Sequence, residues 1–282
     1  MEQLTRRQFL KQAFAYGSVG LMASYPVFIE RNIVLTNYYR IPVSNLPTKF
    51  SGFRVVHLTD FHYGPLVSLN FIRNVVDRAN RLKPDLIVCT GDYVHERNST
   101  RQIDEVWPIL SQLKAPFGIY SVLGNHDHWA DTARSDYWLK KTRQDLRHKS
   151  IRIERDGCCF WLAGAGDFWE DHQNLDKLLS PIPETDCRIV PAHNPDTADT
   201  KYASRIDLML SGHTHGGQVQ IPFIGAPALP VRNKNYSSGL KTSPRGCKVF
   251  ISKGIGWAIY PVRFNCFPEI AEIELISEHN AS

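Results

Sequence analysis

Five apolar runs in this chain each stop against residues that handle metals and protons, and that repetition constrains the fold more than any bulk property. Arg54-Val55-Val56-His57-Leu58-Thr59 ends on Asp60-Phe61-His62, Leu86-Ile87-Val88-Cys89-Thr90 ends on Gly91-Asp92, and the run Ile119 to Leu123 ends on Gly124-Asn125-His126-Asp127. Further on, Ile189-Val190-Pro191-Ala192 ends on His193-Asn194, and Leu208-Met209-Leu210-Ser211 ends on Gly212-His213-Thr214-His215. Short apolar runs bounded by turn residues read as buried strands of a largely parallel sheet, and ligands in such sheets gather at the carboxyl ends of the strands. Five strand ends therefore converge on one site. Helical patterning falls between them, over 69–82, 103–113, 137–146 and 174–179, which makes the class α/β. After His215 the runs shorten and glycine and proline multiply. Val219–Pro222, Cys247–Lys253 and Ile270–Ile276 read as a second sheet with antiparallel pairing.

The residues at these strand ends are Asp60, His62, Asp92, Asn125, His193, His213 and His215: two carboxylates, four imidazoles and an amide. Imidazole with carboxylate and no thiolate suits manganese, iron, zinc, cobalt or nickel, whereas calcium and magnesium prefer shells made of oxygen alone. Seven side chains exceed what one tetrahedral zinc needs and suit two divalent ions that share a bridge. Two such ions bring four positive charges, of which the two aspartates and a bridging hydroxide cancel three. The remainder attracts an anion. A metal pair of this kind clamps the attacking and leaving oxygens of an in-line displacement and lowers the pKa of water toward neutrality, and phosphoryl transfer needs both.

The order Asp-x-His, Gly-Asp, Gly-Asn-His-Asp, His, Gly-His-Thr-His resembles the calcineurin-like metallophosphoesterases. Asp60-Phe61-His62, Gly91-Asp92-Tyr93, His193-Asn194-Pro195-Asp196 and Gly212-His213-Thr214-His215-Gly216-Gly217-Gln218 are similar to the exported bacterial phosphodiesterase branch, as is the later Arg263-Phe264-Asn265-Cys266-Phe267-Pro268-Glu269. The resemblance spans roughly residues 50–276. It implies a four-layer α/β/β/α sandwich with two mixed sheets and a dinuclear site of manganese, iron or zinc. One ion would be held by Asp60, His62 and His215, the other by Asn125, His193 and His213, with Asp92 bridging. His126 is outside that ligand set. The resemblance gives it the phosphate or the leaving group to serve, with Asp127 orienting its ring. The activity implied is hydrolysis of a phosphodiester or pyrophosphate bond, in a substrate that includes lipid-linked esters among its candidates. UDP-2,3-diacylglucosamine pyrophosphate hydrolysis in lipid A synthesis is the alternative within the enzyme class. A non-catalytic interaction module on the same fold is the alternative outside it, but such a module would be expected to have lost site residues, and this chain keeps all of them.

Other residues have plainer readings. His57 lies inside a strand and is expected in the core, while His128, His148 and His172 are expected at the surface. His95 stands three residues after Asp92, where the purple acid phosphatases carry a ligand tyrosine, so that subclass is not expected here. The six cysteines show no metal-pair spacing. Arg143, Arg147, Lys149, Arg152 and Arg155 read as a solvated face, and Phe160, Trp161, Phe168, Trp169 and Trp257 as core or rim packing. A net charge of +5 is compatible with an anionic substrate or a membrane surface. It is too small to argue for nucleic acid, and no basic stripe appears.

Ahead of the domain at 54–276 stand an edge segment and linker, 31–53, and a leader, 1–30. The segment 27–53 carries a strand-like run, Phe28–Tyr38, followed by a link punctuated by Pro42 and Pro47. The leader's Thr5-Arg6-Arg7-Gln8-Phe9-Leu10-Lys11 precedes a modest apolar stretch, Ala13–Tyr25, and resembles a twin-arginine export signal, which a receptor reads as an address. That stretch is shorter than the roughly 20 residues a spanning helix requires. The twin-arginine machinery is therefore an expected partner. The expected location is periplasmic, or membrane-attached on the outer side of the inner membrane, with attachment on the cytoplasmic side as the alternative. Replacing Arg6 and Arg7 by lysine should block export and leave hydrolysis in extracts intact. Cell fractionation of the double variant tests this, and unchanged localisation would count against the leader.

Overall fold

The computed structural model describes residues 5–172 and 174–278. The first four residues of the expected leader lie outside the described residues. The helices are α1 (Arg6–Phe28), α2 (Leu69–Arg81), α3 (Thr100–Leu110), α4 (Asn125–Lys141) and α5 (Leu175–Leu179). The strands are β1 (Leu35–Val43), β2 (Phe53–Leu58), β3 (Leu86–Cys89), β4 (Ile119–Ser121), β5 (Ser150–Arg155), β6 (Cys158–Ala163), β7 (Arg188–Pro191), β8 (Leu208–Ser211), β9 (Gly239–Thr242), β10 (Lys248–Ile251) and β11 (Glu269–Ser277). Among the described residues they form two sheets, ordered β1-β11-β2-β3-β4 and β5-β6-β7-β8-β10-β9. Both are mixed: β2, β3 and β4 run parallel with β11 antiparallel to β2, and β6, β7, β8 and β10 run parallel between antiparallel edges.

The period-two alternation of side chains explains why the strands read as continuous apolar runs. In β2, Phe53 and Val55 face the second sheet while Val56 and Leu58 face the helices, and in β3 Leu86 and Val88 divide from Ile87 and Cys89 in the same way. From the second sheet, Phe160, Leu162, Ile189, Leu208, Leu210 and Phe250 meet them in the middle. The outer face of the first sheet packs against α2, α3 and α4, and that of the second against α5 and the loops beside it. The molecule is thus a four-layer α/β/β/α sandwich. His57 is completely buried among these side chains, and burial lowers its pKa to about 3, so its ring is neutral, with Nε2 2.8 Å from Thr90 Oγ1.

Four sequence expectations differ from the structure. The run Phe28–Tyr38 is not a strand: α1 continues to Phe28 and the strand lies at Leu35–Val43, straight through Pro42. Proline is tolerated there because β1 is an edge strand, paired only with β11. The segments after His215 do not form a sheet of their own. Val219–Pro222 makes only isolated bridges, β10 joins β8 in parallel, and β11 crosses to the first sheet between β1 and β2. The helix expected over 137–146 begins twelve residues earlier, at Asn125, because the third residue of its first turn, Asp127, accepts from the Gly124 N–H at 2.9 Å and so caps it. His128 is not at the surface: its side chain is 5% exposed, between Thr132 and Asp171, and Arg147 leaves its expected solvated face to bind Asp171 and Asp136.

Where the two sheets meet, Phe160 packs edge-on against Phe50 at 4.9 Å and Phe53 at 5.7 Å between ring centroids. Removing that ring leaves a cavity that neither sheet can close. Phe160→Ala should cost about 3–5 kcal/mol, read as a lowered denaturant midpoint with unchanged slope. A loss below about 1 kcal/mol would mean the sheets slide together to fill it.

Candidate metal centre

The carboxyl ends of β2, β3, β7 and β8, with the start of α4, bring all seven expected side chains to one place. Five of them sit on left-handed backbone: Asp60, His62, Asp92, His213 and His215 have φ between +49° and +67°. Such conformations cost non-glycine residues of order 1–3 kcal/mol and persist where the surroundings impose them. Here they turn each side chain back over the end of its own strand. Close backbone approach does the rest. A Cβ on Gly124 would lie 2.3 Å from Asp92 Oδ1, and one on Gly212 would lie 2.2 Å from Asp60 Oδ2, so both positions require glycine.

Two clusters result. In one, Asp60, His62 and His215 converge, with His62 Nε2 3.0 Å from His215 Nε2 and His215 Nε2 3.4 Å from Asp60 Oδ1. In the other, Asp92, His193 and His213 converge, with His193 Nε2 3.2 Å from Asp92 Oδ2 and 3.1 Å from His213 Nδ1. Asp92 Oδ2 is also 3.5 Å from His62 Nε2, so one carboxylate oxygen faces both clusters.

These atoms fit cations. Ligands held about 2.1 Å from one metal and about 90–110° apart lie roughly 3.0–3.4 Å from each other, which is the spacing observed. His193 Nδ1 faces the Thr90 carbonyl at 2.8 Å, and His213 Nε2 faces the Pro230 carbonyl at 3.0 Å. Each carbonyl takes the ring hydrogen and leaves the other nitrogen, as a lone pair, pointing into the site. Two lone pairs and a carboxylate oxygen meeting at one point require a positive charge between them. Asn125 Oδ1, buried in the site, has no hydrogen-bond donor. Burial lowers the His213 pKa to about 3 and depresses His62 and His215 as well, leaving these rings in the neutral form that binds metal. Burial also opposes a charge on His193, yet Asp92 overrides it and raises that ring to about 10. A cation is wanted at that point.

His126 stands at the edge of this floor, half-buried, with its ring centroid 4.6 Å from that of His62. Its Nδ1 lies 2.8 Å from the His95 carbonyl, which frees Nε2 for a ligand. Asp127 does not orient that ring. Its carboxylate is turned inward and accepts from the backbone N–H groups of Asp92 (2.8 Å), Tyr93 (2.9 Å) and Gly124 (2.9 Å). Burial and the Asp92 charge push its pKa up to about 8, and those N–H groups pull it back. Asp127 is therefore the clip between the β3 loop and α4.

Sequence reasoning left three supports unassigned. His95 orients His126 through its carbonyl, and the buried Gln102 side chain accepts from the N–H groups of His95 (3.2 Å) and Glu96 (2.9 Å). Arg263, wholly buried, donates to the carbonyls of His215, Cys266, Gly254 and Gly256, and its Nη2 stands 3.3 Å behind His215 Nδ1. The sequence signal for Arg263 was its place in the Arg263–Glu269 motif. For Gln102 there was none. Trp129 leans on His126 and Trp169 on His213, at 4.7 and 4.5 Å between centroids, forming an aromatic rim.

Facing mixed sheets with paired imidazole-carboxylate clusters at their strand ends place the molecule among the metal-dependent phosphoesterases. The chain belongs to the calcineurin-like phosphoesterase family, whose sequence pattern matches residues 53–217. It is 30% identical to the metallophosphoesterase YkuE of Bacillus subtilis over 98% of this chain and 99% of that one. It is 32% identical to the phosphodiesterase YaeI of Escherichia coli, over 79% and 82% of the two chains. Among solved structures, a dimetal phosphatase from Danio rerio matches with a TM-score of 0.45 and 12% identity, over 76% of this chain and 94% of that one.

Asp127→Asn would aim an amide N–H₂ at backbone donors. Since hydrogen bonds to a charged group are each worth about 1.5–3 kcal/mol, unfolding should come several degrees earlier, and metal content per chain should fall. Aryl and alkyl esters should be slowed alike. Normal stability with a defect confined to alkyl esters would return Asp127 to the His126 ring.

Proposed function

We propose that the chain hydrolyses a phosphodiester or pyrophosphate bond, with two ions of manganese, iron or zinc. Asp60, His62 and His215 would hold one, Asn125, His193 and His213 the other, and Asp92 both. The observation that carries this reading is the single Asp92 oxygen facing both clusters, 3.5 Å from one imidazole and 3.2 Å from another. When bound, such a pair supplies a nucleophile from water at neutral pH and neutralises the phosphoryl oxygens. The chain's own residues set the rest. His126, with Nδ1 tied to the His95 carbonyl, presents Nε2 to the leaving oxygen as a hydrogen-bond or proton donor. Trp129 and Trp169 wall the approach, and the similarity to a protein named a phosphodiesterase supports the diester. We place the enzyme on the outer side of the membrane, which Arg6-Arg7 supports, and Thr5 caps the helix they open.

Chelation should abolish hydrolysis of a bis-aryl phosphodiester, and adding back manganese, iron or zinc singly should restore it. Asp92→Asn should deplete both ions together. Full activity without metal would overturn the assignment.

The role of His126 has a separate signature. His126→Ala should keep both ions and lose roughly 10²- to 10⁴-fold in turnover on alkyl esters, but far less on nitrophenyl esters, whose leaving group needs no proton. If the variant loses an ion, or slows both classes equally, His126 is a ligand or a clamp on the phosphate instead.

A further inference from the structure

We propose that two loop tips beside the metal centre, 221–225 and 257–261, dock on an anionic lipid bilayer. This deepens the reading above by naming the surface from which a lipid-linked ester would reach the site. It rests on that reading for its purpose and not for its test.

Phe223 is fully exposed, Ile259 is 78% exposed, and Ile224 and Tyr260 beside them are 75% and 70% exposed. Phe223 and Ile259 are also on left-handed backbone, at φ +68° and +60°. That conformation is rare for an aromatic and an outlier for a β-branched residue. Each tip therefore carries backbone strain in order to hold an apolar side chain out in water, and nothing inside the folded chain benefits. Strain of this kind accumulates where a surface recognises something.

The tips move as one piece. The Ile221 N–H donates to the Gly225 carbonyl at 2.9 Å, closing the first turn. Phe264 N–H donates to the Gln218 carbonyl at 2.9 Å, and the Gln218 side chain accepts from Ala258 N–H at 2.7 Å and donates to the Ala258 carbonyl at 3.0 Å. Gln218 lies three residues after His215, so the tips are set at a fixed distance from the metal centre. The end of α1 joins them: Arg263 N–H donates to the Pro26 carbonyl at 3.0 Å, and exposed Phe28 follows.

Charge selects the occupant. Residues 208–268 contain seven basic residues, Arg232, Lys234, Lys241, Arg245, Lys248, Lys253 and Arg263, and no aspartate or glutamate, although 28 acidic residues occur in the chain. Residues 5–29 likewise contain Arg6, Arg7 and Lys11 and no acid. An apolar tip within a basic, acid-free surface complements anionic headgroups over an acyl layer. A second copy of the same surface would bring like charges together.

The test is sedimentation of the full-length protein with phosphatidylcholine vesicles, with and without phosphatidylglycerol, for the wild type and for Phe223→Ser combined with Ile259→Ser. The wild type should bind the phosphatidylglycerol vesicles in a salt-sensitive way. The double variant, which retains α1, should bind at least about tenfold more weakly while hydrolysing a soluble bis-aryl diester at the wild-type rate. If lipid binding falls in the variant but neither protein hydrolyses any ester, docking stands and the phosphodiesterase reading falls. Undiminished lipid binding in the variant would overturn the proposal. So would a wild-type dimer on size exclusion that the substitutions dissociate, since the tips would then meet another copy.

Discussion

The Asp92 carboxylate is the constraint on which the site depends, because it must be shared between two imidazole clusters that arise from different sheets. His62 comes from the end of β2 in the first sheet, and His193 from the end of β7 in the second. A buried carboxylate between them needs its backbone fixed to within a few tenths of an ångström. The chain achieves this by stacking supports: a left-handed turn at Asp92, glycine at 91 and 124 so that the backbones can touch, and Asp127 collecting the N–H groups of both segments. Burial alone would raise the Asp92 pKa, and the surrounding His193 and His126 hold it well below its ordinary range instead. The site is therefore a structure of opposed costs, balanced only when positive charge is present.

Much of the site was legible in the sequence, for a definite reason. Ligands in this architecture follow strands, a strand is marked by an apolar run, and the turn after it by glycine, asparagine or histidine. The seven side chains could be found from that punctuation alone, and the structure brings them together. What escaped was whatever depends on partners distant in the chain. Asp127 looked like the natural companion of the adjacent His126 ring, but its oxygens meet backbone from the β3 loop, 35 residues away. Gln102 supports His95 from α3 without any local pattern to betray it. The sheet that a strand joins was equally hidden. The apolar residues of β11 fit either sheet, and only pairing with β2, more than 200 positions earlier, places it in the first.

The supports described here also divide labour between layers. The helices on the first sheet hold α4 and thereby Asn125, His126 and Asp127, while the long acid-free segment after His215 holds the opposite wall through Arg263. A buried arginine without a carboxylate partner is costly unless carbonyl oxygens replace water. Arg263 has four of them, including that of His215.

The position of β11 also bears on the order in which the chain takes shape. β1 pairs with β11 over nine residues, from Leu35 against Glu269 to Val43 against Ser277. The first strand made on the ribosome thus waits for the last before it has a neighbour, and the core between the sheets stays open until synthesis is nearly complete. Contacts so far apart in sequence make for slow, post-translational closure. The root of α1 is seated by the same late segment, through Pro261, Arg263 and Cys266. For a leader read by machinery that accepts finished proteins, its base is in place only once the body has folded, so the leader's posture reports completion.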